Sequence, residues 1–152
     1  MQVIVAAIGR DRAGPARDLF EDYSRRSRWP IRLVEIAPRS SRPLERRLRE
    51  EAERLLQAVP PGAVLVALDE AGRQLDSAGL ARRIARWQEQ GHGTLAFAIG
   101  GPDGLDRSVL ERAEATFAFG RMTWPHRLVR VMLAEQLYRA STILSGHPYH
   151  RA

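Results

Sequence analysis

Apolar and polar positions fall in short blocks along this chain, and the period changes from block to block. Residues 2–8 (QVIVAAI) are an apolar run closed by Gly9 and a loop through Arg12, and residues 31–36 (IRLVEI) alternate at period two; both read as strands. Between them Pro15 opens a helix with Leu19, Phe20 and Tyr23 on one side, ending near Arg28 to Pro30. Pro43 opens a second helix with Leu44, Leu48, Leu55 and Leu56 as its stripe, and Pro60-Pro61-Gly62 stops it. Residues 63–68 (AVLVAL) form a continuous apolar strand that the Asp69-Glu70-Ala71-Gly72 step leaves as a turn. A helix over about 77–90 carries Leu80, Ile84 and Trp87, and residues 94–99 (TLAFAI) make a fourth strand.

Strand and helix in this alternation predict an α/β fold, a single open, mostly parallel sheet with helices on both faces, because continuous apolar strands need cover on each side. After Gly100 the pattern changes. It gives a Gly/Pro loop, a short helix around 105–114, two small segments around 115–124, and a long helix from about Pro125 to Leu144 before a polar tail. No repeat or low-complexity linker divides the 152 residues, so one domain over 1–152 is expected, with the tail 145–152 as its last part.

Composition narrows the chemistry. With 44% hydrophobic and 28% charged residues the chain suits a packed domain, and without cysteine it has no disulfide, Cys-ligated metal or thiol nucleophile. All 24 basic residues are Arg, which excludes lysine Schiff-base or phosphate-loop chemistry and leaves guanidinium forks for phosphate. Nine of them (25, 26, 28, 32, 39, 42, 46, 47, 49) fall between Arg25 and Arg49 against Glu35 and Glu45. This local excess is either a footprint for a polyanion or a solvated face. No run is long enough to cross a bilayer and no leader pattern opens the chain, so no membrane partner and a cytoplasmic location are expected.

Gly100-Gly101-Pro102-Asp103-Gly104 follows a strand directly. It lacks the dinucleotide spacing and the Walker A lysine, and reads either as a backbone cradle for a ligand or as a tight turn. Phe119-Gly120-Arg121-Met122-Thr123-Trp124-Pro125-His126 could wrap a flat ring or pack under neighbouring loops. In the last helix, apolar residues spread round more of the circumference than one sheet covers, which implies a partner surface, most simply a two-fold copy. Glu135 and Arg139 stand four apart, able to pair or to present Arg139 to a cleft. The tail gathers His147, Tyr149, His150 and Arg151, a weak metal signal but a usable set for holding a base.

LAFAIGGPDGL at 95–105, TWPHRLVRVMLAEQLYRA at 123–140 and HPYHR at 147–151 together resemble the RlmH family, the large-subunit ribosomal RNA methyltransferase H proteins of the knotted SPOUT class. The resemblance runs from the opening VIVAAIG to the last residues. It implies a homodimer whose C-terminal part is threaded into a deep trefoil knot. The implied reaction is metal-free methyl transfer from S-adenosylmethionine to N3 of a pseudouridine in large-subunit (23S) rRNA of the assembled ribosome. Leu68, Gly100, Gly101, Phe119, Gly120, Arg121, Met122, Thr123, Trp124 and Pro125 match cofactor-binding positions. Arg139, Tyr149, His150 and Arg151 match positions at the target nucleotide, with one subunit's tail completing the other's site. Trp124 stands where relatives often carry Leu, and Gly91-His92-Gly93 looks one residue longer than in some relatives.

Two other classes compete. A non-catalytic RNA-binding protein would use the Arg25–Arg49 surface without needing the glycine cradle, and a tRNA-modifying transferase would keep the cofactor loops without the HPYHR tail.

Overall fold

The computed structural model describes residues 1–40 and 43–151; Arg42 of the basic stretch lies outside them. Ten elements follow in chain order: β1 (Gln2–Ile8), α1 (Pro15–Arg26), β2 (Ile31–Ile36), α2 (Leu44–Gln57), β3 (Val64–Gln74), α3 (Ser77–Glu89), β4 (Thr94–Ile99), α4 (Arg107–Arg112), β5 (Ala115–Ala118) and α5 (His126–Ser145). The strands form one parallel sheet in the order β2-β1-β4-β3-β5. Alternate residues of the central strands enter two separate cores. Val3, Val5, Val66, Leu95 and Phe97 pack with residues of α1, α3 and α5 on one face, while Ile4, Ala6, Leu65, Ala96 and Ala98 pack with α2 and α4 on the other. This is the two-faced burial that the continuous apolar strands demand.

Local chemistry sets the helix ends. Pro15 occupies the first turn of α1, Asp76 caps α3 by accepting from the Gly79 amide, and Asp106 caps α4 by accepting from the Ser108 amide at 3.0 Å. Pro125 precedes α5, and Gly146 stops it in the left-handed region at φ 71°, which a side chain would strain.

Three expectations change. Leu19 and Leu44 are exposed, so α1 is anchored by Phe20 and α2 by Ala52 and Leu55. The Asp69–Gly72 step is a bulge inside a longer strand: β3 pairs with β5 through Leu68, departs, and resumes with Arg73 opposite Phe117. Gly72 makes the return possible, since a Cβ there would stand 2.7 Å from the Phe117 carbonyl carbon. The apolar breadth of α5 is largely consumed inside the chain, because α5 lies against both α1 and α3 as well as the sheet core. Breadth alone therefore does not require a second copy.

Candidate functional site: a cleft at the strand ends and a tail cluster

A cleft of about 810 Å³ opens at the β3 bulge and the carboxyl ends of β4 and β5, where ligands enter open α/β sheets and within the size range of small-molecule sites. Its walls are Leu68 and the β3 bulge, the loop 100–105, the segment 117–125, and His126 with Val129 at the start of α5. Of the ten residues expected at a cofactor, nine line it: Leu68, Gly100, Gly101, Phe119, Gly120, Met122, Thr123, Trp124 and Pro125. Arg121 is exposed and stands outside the lining.

The glycines serve the loop's own fold. A Cβ on Gly100 would stand 2.6 Å from the Gly104 carbonyl, because the chain doubles back there in a Gly101–Gly104 bridge with the Gly104 amide donating to the Gly101 carbonyl at 3.0 Å. A Cβ on Gly101 would meet Ile8 Cγ2 at 3.2 Å and so would press on the core rather than fill the cleft. Thr123 Oγ1 donates to Glu70 Oε2 at 3.1 Å, tying the 119–125 segment to the β3 bulge, and Trp124 Nε1 donates to the Phe119 carbonyl at 3.2 Å. Met122 is 72% exposed at the rim, an apolar edge without cover.

Asp69, Glu70 and Asp103 give the cleft an acidic wall, with Asp103 bonded to Arg47. Sequence reasoning passed over these carboxylates because the first two resemble turn residues and the third belongs to a Gly/Pro loop. His126 also lines the cleft. Burial, helped by Arg130 and Arg127, pushes its imidazole below the ordinary value, so the ring is neutral near pH 7.

Behind His126 lies a buried cation. Arg130 is 1% exposed, donates to Glu35 Oε2 at 2.9 Å, and donates to the Ile8 and Gly9 carbonyls at 3.1 and 2.8 Å. It thereby ties α5 to the ends of β1 and β2. Burial pushes the Glu35 carboxyl up, but the Asp11 amide and Arg130 more than offset this and hold it below the usual range. Nothing in the spacing of the many arginines marks this one; the only hint was a Glu inside the β2 alternation.

The residues expected at the target nucleotide gather elsewhere. Arg139 pairs with Glu135 at 2.6 Å, Tyr149 Oη donates to the same Glu135 oxygen at 3.1 Å, and Arg139 Nη1 lies 3.4 Å from His150 Nδ1. The Tyr149 ring packs on Tyr138 at 4.5 Å between centroids, and Arg26 lies over Tyr138 at 4.5 Å. Tyr149 and His150 are half-buried on α5, so this part of the tail is docked, while Arg151 is exposed. Burial, then the bond to Glu135, pushes the Tyr149 phenol up to about 12, leaving it a donor at neutral pH. Glu135 first and foremost raises Arg139 further above its already high value. Val129, the last α5 residue in the cleft, stands six positions before Glu135, the first of the cluster, about 9 Å along the axis. The tail cluster and the cleft of one chain are two places.

The Arg25–Arg49 stretch is partly neutralised. Arg25 and Arg26 reach Asp22, Arg39 and Arg46 reach Glu50, and Arg47 reaches Asp103. Arg28, Arg32 and Arg49 are its described members without such an ion pair. No helix is long and apolar enough to cross a membrane among the described residues.

A parallel α/β sheet with a glycine-turned cleft at its strand ends defines an open-sheet α/β protein, a class whose ligand sites lie in such crevices. Residues 1–150 match the family model described as predicted SPOUT methyltransferase. A protein of Rhodospirillum centenum named Ribosomal RNA large subunit methyltransferase H is 57% identical over 152 residues, covering 100% of both chains. Its namesake in Paramagnetospirillum magneticum is 48% identical over 99% of each. Among solved structures, a probable methylase family protein from Haemophilus influenzae Rd KW20 shares the fold with a TM-score of 0.62 at 9% identity, over 99% of this chain and 70% of its own. The chain belongs to the SPOUT methyltransferases and, within them, to the RlmH family.

Proposed function

We propose that this protein transfers a methyl group from S-adenosylmethionine to N3 of a pseudouridine in large-subunit (23S) rRNA, working in the cytoplasm on the assembled ribosome as a homodimer. The reading takes residues 1–152 as one methyltransferase domain with a threaded C-terminal part and with the tail 145–152 contributing to the site. The observation that carries it is the cleft, in which the 100–105 and 119–125 loops meet at the β3 bulge and the ends of β4 and β5. Its volume, its apolar walls at Leu68 and Phe119 and its carboxylates suit a ligand with a flat base and a net positive charge. S-adenosylmethionine supplies, when bound, an electrophilic methyl on a sulfonium.

The chain's own work is then placement and charge. Leu68 and Phe119 offer faces to the base, Gly100 and Gly101 present backbone, and Asp69 and Glu70 attract the cationic end. Arg139, Tyr149, His150 and Arg151 hold the target nucleotide. Tyr149 stays protonated and so contributes a stacking face and a donor rather than a base. Because none of Arg139, Tyr149, His150 and Arg151 lines the cleft of its own chain, a complete site needs the tail of a second copy. Exposed Met122, Trp124 and Leu128 by the cleft provide apolar surface for that copy.

Two results test this. Calorimetry with S-adenosylmethionine is expected to give saturable binding to the wild type and at least about tenfold weaker binding to Gly100→Val, whose side chain cannot coexist with the Gly104 backbone. Wild-type binding absent from folded protein refutes the cofactor assignment. Mixing Gly100→Val with a chain ended after Gly146 is expected to restore part of the methyl transfer that each lacks alone, through heterodimers carrying one intact site; no recovery from mixed, co-refolded subunits counts against a shared site. Labelled ribosomes decide the substrate, since label on tRNA moves the protein to another transferase class.

A further inference from the structure

A second groove, of about 360 Å³, runs along the outer edge of the sheet between β5 and α3. Arg73, Arg82, Arg83 and Arg86 all line it. The nearest opposing charge is Asp76, 3.9 Å from Arg82 and already engaged in capping α3 through the Gly79 amide. Among the described residues, Arg73, Arg83 and Arg86 have no ion pair. This contrasts with the Arg25–Arg49 stretch, where most guanidinium groups meet carboxylates of the chain itself. Arg83 is held more firmly than a surface arginine: its guanidinium lies 5.2 Å from the Trp87 ring centroid, and its Nε is enclosed without a hydrogen-bond partner. A fixed, unneutralised fork of this kind loses little freedom on meeting a phosphate.

The groove neighbours the cleft. Phe117 lines both, and the β3 bulge that forms part of the cleft wall is the same feature that brings Arg73 back opposite Phe117. A strand entering the cleft from this side would pass Phe117 with its backbone over four guanidinium groups. We propose that the β5–α3 groove is an RNA-binding surface that holds backbone phosphates of the nucleic acid whose target nucleotide is presented at the cleft. This rests on the reading of the protein as an rRNA methyltransferase. It assigns the sequence-independent part of binding to Arg73, Arg82, Arg83 and Arg86, positions that contact phosphate and carry no base readout.

The experiment measures binding without methyl transfer. Wild type, Arg82→Gln/Arg86→Gln and the control Arg107→Gln/Arg112→Gln, which removes the same charge from exposed positions on α4, are titrated onto ribosomes and a labelled RNA hairpin across about 50 to 200 mM salt. The groove variant is expected to lower the slope of log affinity against log salt by about two, roughly one per lost phosphate contact. The control keeps the wild-type slope, and both keep wild-type affinity for S-adenosylmethionine. Arg83→Met, which retains an apolar contact with Trp87, is expected to lower the slope by about one. Equal slopes in the groove variant and wild type, or equal losses in variant and control, overturn the proposal. Mapping of the methyl label by wild type is read separately: label off the large-subunit rRNA defeats the functional reading even where the slopes differ as expected.

Discussion

A chain ended after Gly146 is expected to keep its affinity for S-adenosylmethionine and to lose methyl transfer by a factor on the order of a hundred or more, as a misplacement of about 1 Å can cost. The tail lies on α5 rather than in its own chain's cleft, so its removal uncovers Tyr138 and frees Arg139 from His150 without touching the loops at 100–105 and 119–125. Single-turnover transfer to ribosomes lacking the modification, beside calorimetry, separates the two effects. Tyr149→Phe sharpens the comparison: it keeps the ring against Tyr138 and loses the hydroxyl's bonds to Glu135 and Tyr23, so it should keep most of the activity that Tyr149→Ala forfeits. Full activity from the shortened chain would remove the tail from the site.

The largest effect on stability is expected from Arg130→Met. Breaking a buried pair by deleting one member costs about 3 to 5 kcal/mol because the other charge stays behind, and here two strand-end carbonyls lose their donor as well. Against a domain total of about 5 to 15 kcal/mol, this should move the urea midpoint far down at pH 7. Arg130→Met/Glu35→Leu should recover part of the loss, since no charge is then stranded. The dependence on pH follows from Glu35, whose folded value is depressed. Its contribution is present above the unfolded value of about 4.3 and fades as pH falls through the lower folded value, so the gap between wild type and Arg130→Met should narrow in acid. His126 is also depressed, so both proteins should begin to lose stability below about pH 6.5, where the unfolded imidazole takes up a proton and the folded one resists. A gap that widens in acid would contradict the pairing.

Much of this was legible because burial writes a strong pattern. The runs 2–8, 31–36 and 94–99 emerged as β1, β2 and β4 at their expected bounds, and Leu80, Ile84 and Trp87 are all buried on α3. The glycine loop after β4 and the aromatic segment before α5 did converge on one cleft. What was not legible depends on partners distant in sequence. Asp69–Gly72 has turn composition, and only its pairing with β5 makes it a bulge. The breadth of α5 is shared between two helices, which no helical wheel distinguishes from an interface. Arg130 looks like any other surface arginine until β1 and β2 surround it, and the four groove arginines are scattered from 73 to 86 with no dense charge run to flag them.

The clasp formed by Arg130 also sets an order on the birth of the molecule. Ile8, Gly9 and Glu35 are made early, but the guanidinium that joins them arrives only with residue 130. β1 precedes both of its neighbours in the chain and needs β4 on one side and β2 on the other. The emerging chain therefore holds this inner strand half-paired until β4 is made, and Glu35 without Arg130 until α5 is made; such non-local closures are slow and leave apolar edges open meanwhile. Completion of the fold thus waits on α5, whose Arg130 closes contacts made by residues about a hundred positions earlier.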